Sequence, residues 1–295
     1  MKSPTLILDG KQISTDIRAE LKRETGVFVR ETGRKPGLAT ILVGDHPASH
    51  TYVANKIKAC GEVGMDSFHL PLPSSTPISE LVALVKKLNA DPKVDGILLQ
   101  LPLPGNAYST PALEALDPAK DADGLHPYNL GQLFEYKNWA EMSSGAHPLS
   151  CTPHGAIQIL LRSKIQISGQ RAVVLGRSKL VGKPVSMMLL GLDATVTMCH
   201  SRTKNLDAVC READILVAAI GQPKFVKSSM VKEGAVVIDV GINRDPNGKL
   251  CGDVDFEAVR VKASAITPVP GGVGPMTIAM LLFNTLQLAK KRAKE

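Results

Sequence analysis

The stretch RAVVLGRSKLVGKP (residues 171–184) decides the fold. A short apolar run ends in Gly176, turns through Arg177 and Ser178, and opens a segment of helical composition at Gly182. Strand, glycine turn and helix in that order suit a phosphate. Glycine lets the backbone approach the anion, and the helix N-terminus presents unpaired N–H groups and the positive end of its dipole. The spacing departs from G-x-G-x-x-G, because Ser178 stands where a second glycine would be and Gly182 comes late. A strand–turn–helix without a ligand therefore stays open as a reading, although Arg177 can fork onto a phosphate.

Working outward, ATVTMC (194–199), DILVAAI (214–220) and AVVIDVG (235–241) repeat the strand signal, with helical segments between them. That alternation predicts a doubly wound parallel sheet of the nucleotide-binding kind. Its second strand runs into CHSRTKN (199–205). A site selective for NAD commonly carries an Asp or Glu here for the ribose hydroxyls. This loop offers no carboxylate, but it has a hydroxyl on Ser201 and a guanidinium on Arg202, which favours the 2′-phosphate of NADP. His200 has no second ligand at metal spacing, so no metal site is expected.

The first half alternates in the same way. GLATILVG (37–44), SFHLPL (67–72) and VDGILLQLPL (94–103) are expected strands, and SHTYVANKIKACGEVG (49–64) and PISELVALVKKLNA (77–90) are expected helices. Such βαβ units imply a second parallel sheet. Periodicity fails over FEYKNWAEMSSGAHPLSC (134–151), which places a boundary there. The expectation is two α/β domains, residues 1–148 and 149–274. An amphipathic helix over 275–295, with Pro275 in its first turn, is expected to pack back on the first domain.

Gross composition agrees. At roughly 150 residues per domain, 295 residues suggest two domains. The net charge of +7 is scattered and aromatics are only 4%, which argues against a nucleic-acid surface and suits small anionic ligands. Five widely spaced cysteines form no C-x-x-C pair, which favours a reducing compartment. The apolar run in MKSPTLILDGKQIS is too short for a signal peptide, and no run approaches the ~20 residues of a membrane span. A cytoplasmic protein without nucleic-acid or membrane partners is expected.

Two further loops and one helix stand out. TPVPGGVGPMT (267–277) sets three prolines around Gly271, Gly272 and Gly274, making a shaped loop that a ligand can approach closely, or a tight entry to the last helix. Gln100 ends the run GILLQ near a strand's C-terminal end, where open α/β sheets bind ligands. Asp123 lies in KDADGLHP, as a functional carboxylate or an Asx-turn. In the helix, taking Tyr52 as zero and about 100° per residue, Val53, Ile57, Cys60 and Val63 fall between about 20° and 140°. Lys56 falls at about 40°, inside that arc, while Asn55, Lys58 and Glu62 lie at about 240° to 300°. Either the Lys56 stem snorkels to water or its amine faces a cleft, where a destabilised ammonium can serve as a base.

Taken together, Y-x-x-x-K at 52–56, ILLQLPLP at 97–104, KDADG at 120–124, GRSKLVGKP at 176–184 and PVPGGVGPMT at 268–277 resemble the bifunctional methylenetetrahydrofolate dehydrogenase/methenyltetrahydrofolate cyclohydrolase family. The resemblance spans about residues 5 to 290, and five motifs in this order are specific. It implies two α/β domains with a cleft between them, the second Rossmann-like, and usually a homodimer. It implies that Lys56 is the central catalytic group, with Tyr52 stacking on the folate, Gln100 tuning Lys56 and Asp123 holding the pterin. Val53, Ala54, Asn55, Leu99, Leu101 and the loop residues Pro270, Gly271, Gly272, Val273 and Gly274 would line the folate. Gly176, Arg177 and Ser178 would hold the cofactor phosphates, Ser201 with Arg202 the 2′-phosphate, and Ile242 the nicotinamide side. Ser49 would support the site from behind. Competing readings are a monofunctional, NAD-dependent dehydrogenase and a silent NADP-binding module.

Overall fold

The computed structural model describes residues 4–45, 47–104 and 109–294. In chain order the elements are β1 (Leu6–Ile7), α1 (Gly10–Thr32), β2 (Gly37–Val43), α2 (Pro47–Val63), β3 (Asp66–Leu72), α3 (Ile78–Ala90), β4 (Gly96–Leu99), α4 (Ser109–Glu114), α5 (Pro127–Glu135), α6 (Trp139–Met142) and α7 (Cys151–Arg162). They continue with β5 (Arg171–Leu175), α8 (Gly182–Gly191), β6 (Thr195–Cys199), α9 (Leu206–Arg211), β7 (Ile215–Ala218), β8 (Val236–Asp239), the β9/β10 ribbon (Asn243–Arg244 and Leu250–Cys251), α10 (Phe256–Arg260), β11 (Ala265–Ile266) and α11 (Val273–Arg292).

The chain divides into two compact units. One comprises residues 1–15, 133–143 and 150–277; the other comprises 16–132, 144–149 and 278–295. The division is discontinuous: residues 1–15 group with 150–277, and residues 278–295 group with 16–132. Its cause at the N-terminus is β1, which pairs in parallel with β11 and so adds the first residues to the later sheet. The unit boundaries after Thr15 and Thr277 fall inside α1 and α11.

The first of these units carries a six-stranded sheet of order β1-β11-β8-β7-β5-β6, with every pairing parallel. Strand order reverses between β5 and β7, which is the switch point where doubly wound sheets take their ligands. β7 and β8 are buried along their whole length, as strands covered on both faces must be. Val173, Leu175, Leu216, Val237 and Ile266 form the core with Cys199 and Cys210.

The other unit carries a three-stranded parallel sheet, β3-β2-β4. GLATILV of β2 is fully buried between its neighbours, whereas DSFHLPL of β3 is half exposed and holds Pro71, which an edge strand tolerates. The strand expected over 94–103 stops at Leu99, so Gln100 is the first residue past the sheet. Ile41, Val85, Ile97 and Leu99 centre this unit's core. Its α11 residues are tied in by Asn284, whose amide donates to the carbonyls of Ala122 and Leu149. Among the described residues, no helix is long and apolar enough to cross a membrane, and no group of His, Cys, Asp or Glu could hold a metal ion.

Candidate active site

Helix α2 buries Ser49, Val53, Lys56, Ala59, Cys60 and Val63. At about 100° per residue these span an arc of about 120° centred on Lys56. The lysine therefore sits in the middle of the buried stripe, with only 8% of its surface exposed. Tyr52, at the edge of the arc, is 38% exposed and leaves much of its ring accessible. Ile57, expected on the apolar face, is exposed because burial ends near Val53 and Cys60. Ala54, nearly opposite Lys56 around the helix, and Asn55, outside the buried arc, are also exposed, while Val53 is core. Burial pushes the Cys60 thiol, one turn beyond Lys56, up to about 11, so it stays protonated.

The partner of Lys56 comes from the end of β4. Lys56 Nζ donates to Gln100 Oε1 at 2.7 Å. Gln100 is held from two sides: its backbone N–H donates to the Ile41 carbonyl of β2, and its Nε2 donates to the Leu101 carbonyl at 2.7 Å. The carbonyl end of the amide is thereby left aimed at the lysine. Leu99 is buried and Leu101 is half-buried on either side.

Asp123 is half-buried in a turn built by its neighbour Asp121. Asp121 is fully buried and bridges Ile97 of β4 in parallel, so this segment runs alongside the strand that leads to Gln100. Its carboxylate accepts from the backbone of Gly124 and His126 and from Asn129 Nδ2. Desolvation raises its pKa above the usual carboxylate range, against those hydrogen bonds. Sequence reasoning missed Asp121 as the residue that shapes the Asp123 turn.

The phosphate turn has the expected form. Gly176 has φ +117°, and a Cβ there would strike the Ala219 carbonyl at the end of β7. A Cβ on Gly182 would strike Gly176 in turn, so both glycines are needed for the chain to close so tightly. Ser178 Oγ accepts from Val181 and Gly182 at the start of α8, which leaves its own proton free for an outside acceptor. Arg177, Lys179 and Lys183 are exposed around the turn. Past β6, His200 N donates to Thr203 Oγ1 and Arg202 N to His200 Nδ1, a compact loop that presents Ser201 and Arg202 to solvent. This donor set, with the four cations Arg177, Lys179, Lys183 and Arg202 and no acid, fits a phosphorylated dinucleotide.

In the same unit, the PVPGGVGP loop and Ile242 meet. Gly271 has φ +107°, and its carbonyl accepts from Lys11 N at the start of α1. Gly272 is buried, and a Cβ there would lie 2.5 Å from the Pro268 carbonyl. A Cβ on Gly274 would lie 3.7 Å from Ile242 Cδ1, so the glycine loop abuts the residue assigned to the nicotinamide. Ile242 is 49% exposed, and Pro270, next to Gly271 in the loop, is exposed as well. The Leu101–Pro102 and Val269–Pro270 peptide bonds are cis.

Comparison with known proteins places this geometry. The family model for the tetrahydrofolate dehydrogenase/cyclohydrolase catalytic domain matches residues 8–123, and that for its NAD(P)-binding domain matches residues 150–293. The bifunctional protein FolD of Acetivibrio thermocellus is 52% identical over 288 residues, covering 98% of each chain. A crystal structure of the bifunctional FolD dehydrogenase/cyclohydrolase from Campylobacter jejuni superposes with TM-score 0.91 at 47% identity, over 98% of this chain and 99% of that one. The Trypanosoma brucei enzyme, solved with NADP cofactor and inhibitor, superposes with TM-score 0.92 at 39% identity over 100% of both chains. From its strand order, its glycine-built phosphate turn, and these matches along nearly its whole length, the chain belongs to the tetrahydrofolate dehydrogenase/cyclohydrolase family.

Proposed function

We propose that the protein is a bifunctional one-carbon folate enzyme. It oxidises 5,10-methylenetetrahydrofolate to 5,10-methenyltetrahydrofolate with NADP, then hydrolyses the product to 10-formyltetrahydrofolate. The observation that carries this reading is the buried Lys56 amine held on the Gln100 carbonyl. A dehydrogenase alone needs its two flat ligands aligned. A lysine at the centre of a buried stripe, with its acceptor pinned from two sides, serves a step that moves a proton.

When bound, NADP supplies the acceptor for the hydride. Arg177 and Ser178, with the backbone of Gly176, hold its phosphates, and Ser201 and Arg202 take the 2′-phosphate. Ile242 would hold the nicotinamide side and Pro270 to Gly274 the folate, a reading supported by the approach of Gly274 to Ile242. Tyr52 stacks on the folate ring system, Asp123 holds the pterin, and Leu99 and Leu101 flank Gln100 along the substrate. On α2 the substrate contacts are those of Tyr52 and Lys56, with Val53 to Asn55 as the backbone between them and Ser49 supporting from behind. After oxidation, Lys56 takes a proton from the water that adds to the methenyl carbon. A buried amine gives up its own proton more readily than an exposed one, and a charged one would repel the cation. The protein acts as a cytoplasmic homodimer.

The test is an absorbance assay with methylenetetrahydrofolate and either NADP or NAD. Reduced cofactor reports the oxidation, and decay of the methenyl band reports the hydrolysis. Lys56→Met should lower hydrolysis by about 100-fold or more while NADP reduction persists. An equal, mild loss of both activities would remove Lys56 from that role. Reduction of NAD but not NADP, without methenyl decay, would point to the monofunctional reading, and a flat trace with both cofactors to a binding module.

A further inference from the structure

Two buried carboxylates behind the cofactor end of the six-stranded sheet have no part in the chemistry above. Asp253 is fully buried, and its carboxylate accepts four hydrogen bonds. Oδ2 takes the backbone N–H of Ile220 at 2.7 Å and of Gly221 at 3.0 Å, and Oδ1 takes that of Gln222 at 2.9 Å and Asn243 Nδ2 at 2.8 Å. Three consecutive N–H groups of the loop after β7 thus converge on one side chain. Gly221 and Gln222 themselves are exposed, so the loop shows its outer surface to solvent while its donors turn inward.

Asp253 is fixed by the second carboxylate. Asp239, the last residue of β8, accepts from Asp253 N, Val254 N and Gly241 N. A Cβ on Gly252 would collide with the Asp239 carboxylate, and one on Gly241 with that of Asp253, so both positions give up a side chain to make room. The pair ties together the loop after β7, the segment 241–243 that carries Ile242, and the segment 252–254. The loop after β7 starts at Ala219, whose carbonyl faces Gly176 of the phosphate turn across the switch point. The two carboxylates of this network bond backbone N–H groups and the Asn243 amide. Its output is the path of two backbone segments at the place where a dinucleotide crosses the sheet.

The geometry assigns Asp253 as a positioning residue for the nicotinamide cofactor, setting the course of residues 220–222 and of Ile242 through backbone and Asn243 hydrogen bonds. The assignment rests on the proposed NADP site. Asp253→Asn keeps the size of the side chain but replaces one acceptor oxygen by an NH₂ group facing N–H donors. The loop must then move, and the loss should fall on the cofactor alone.

The experiment measures NADP titration by calorimetry, KM for NADP and for methylenetetrahydrofolate, and hydrolysis of methenyltetrahydrofolate without cofactor. NADP reduction and methenyl hydrolysis by the unaltered protein come first; their absence would sink the proposed function and not this assignment. Given both, Asp253→Asn should raise the Kd and KM for NADP about tenfold or more, with KM for the folate and the hydrolysis rate within about twofold. Asn243→Ala, which removes one donor and leaves Asp253 in place, should raise the NADP constants about two- to fivefold. If Asp253→Asn fails to fold, as loss of hydrolysis would report, Asn243→Ala decides. NADP constants unchanged in the folded variants, or hydrolysis and cofactor binding falling together in Asn243→Ala, would overturn the assignment.

Discussion

Gln100 carries no charge and yet controls the direction of the most telling hydrogen bond in the molecule. Its Nε2 is spent on the Leu101 carbonyl, so its Oε1 faces Lys56 and cannot exchange with the NH₂ end without losing both bonds. Gln100→Met keeps the volume and removes both. The expected result is a fall in methenyl hydrolysis of about 10- to 100-fold, with a displaced pH–rate profile, because Lys56 loses the acceptor that holds it. Unchanged hydrolysis would mean that Gln100 only fills space, and a loss equal at every pH would mean that it does not tune Lys56. At this scale the site was partly legible. Lys56 stood out because a lysine inside an apolar arc is an anomaly that angles alone reveal, and Gln100 because it ends an apolar strand. Asp121, Asp239 and Asp253 were not legible. Asp121 acts on backbone three and five residues on and reads like any Asx-turn, whereas Asp253 reaches residues 31 to 33 positions away, whose nearness is made by the fold.

Among the elements, the ends of helices α1 and α11 meet on one buried acid, Asp95, just before β4. Arg34 forks onto its carboxylate at 2.7 and 2.9 Å, Arg292 of α11 donates at 2.8 Å, and Gly37 N of β2 at 2.9 Å. The hydrogen bond to Asp95 raises the Arg34 pKa above its ordinary value, so the guanidinium stays charged. Asp95→Ala leaves the buried Gly37 N–H and two guanidinium groups without their acceptor, and should cost about 3 kcal/mol or more in denaturant unfolding. Arg292→Ala, whose side chain is 23% exposed, should cost about 1 kcal/mol. Equal losses would mean that the carboxylate is not the hub. The long buried strands were readable because they are continuous apolar runs bounded by turns. β1 was not, since Leu6–Ile7 is a strand only through its pairing with β11 more than 250 residues on. The α1 helix had a signal that went unread: Ile17, Leu21 and Phe28 recur at helical spacing and are buried.

For the molecule as a whole, two buried groups of opposite kind work on the same span of pH. His154, packed edge-on against Trp139, is fully buried, and desolvation lowers its pKa to about 4. Unfolded chain binds its proton up to about pH 6.5, so between these values unfolding takes up a proton and stability rises with pH. Burial raises Asp239 to about 7, against three backbone hydrogen bonds and with Asp253 adding to the rise. Here the folded state keeps a proton that the unfolded chain releases above about 3.8, so stability is full below that value and is lost as pH rises to about 7. Over pH 4 to 6.5 the two slopes oppose each other, each at most about 1.4 kcal/mol per pH unit. Both lie in the unit that contains residues 150–277, so they should act on one transition. Relative to the unaltered protein, His154→Gln should therefore lose stability with rising pH across 4 to 6.5, and Asp239→Asn should gain it. Melting midpoints at several pH values for the three proteins measure this directly. Parallel curves would mean that neither group changes its protonation on unfolding. A slope change in His154→Gln alone would mean that the backbone donors keep Asp239 ionised in the folded state despite its burial.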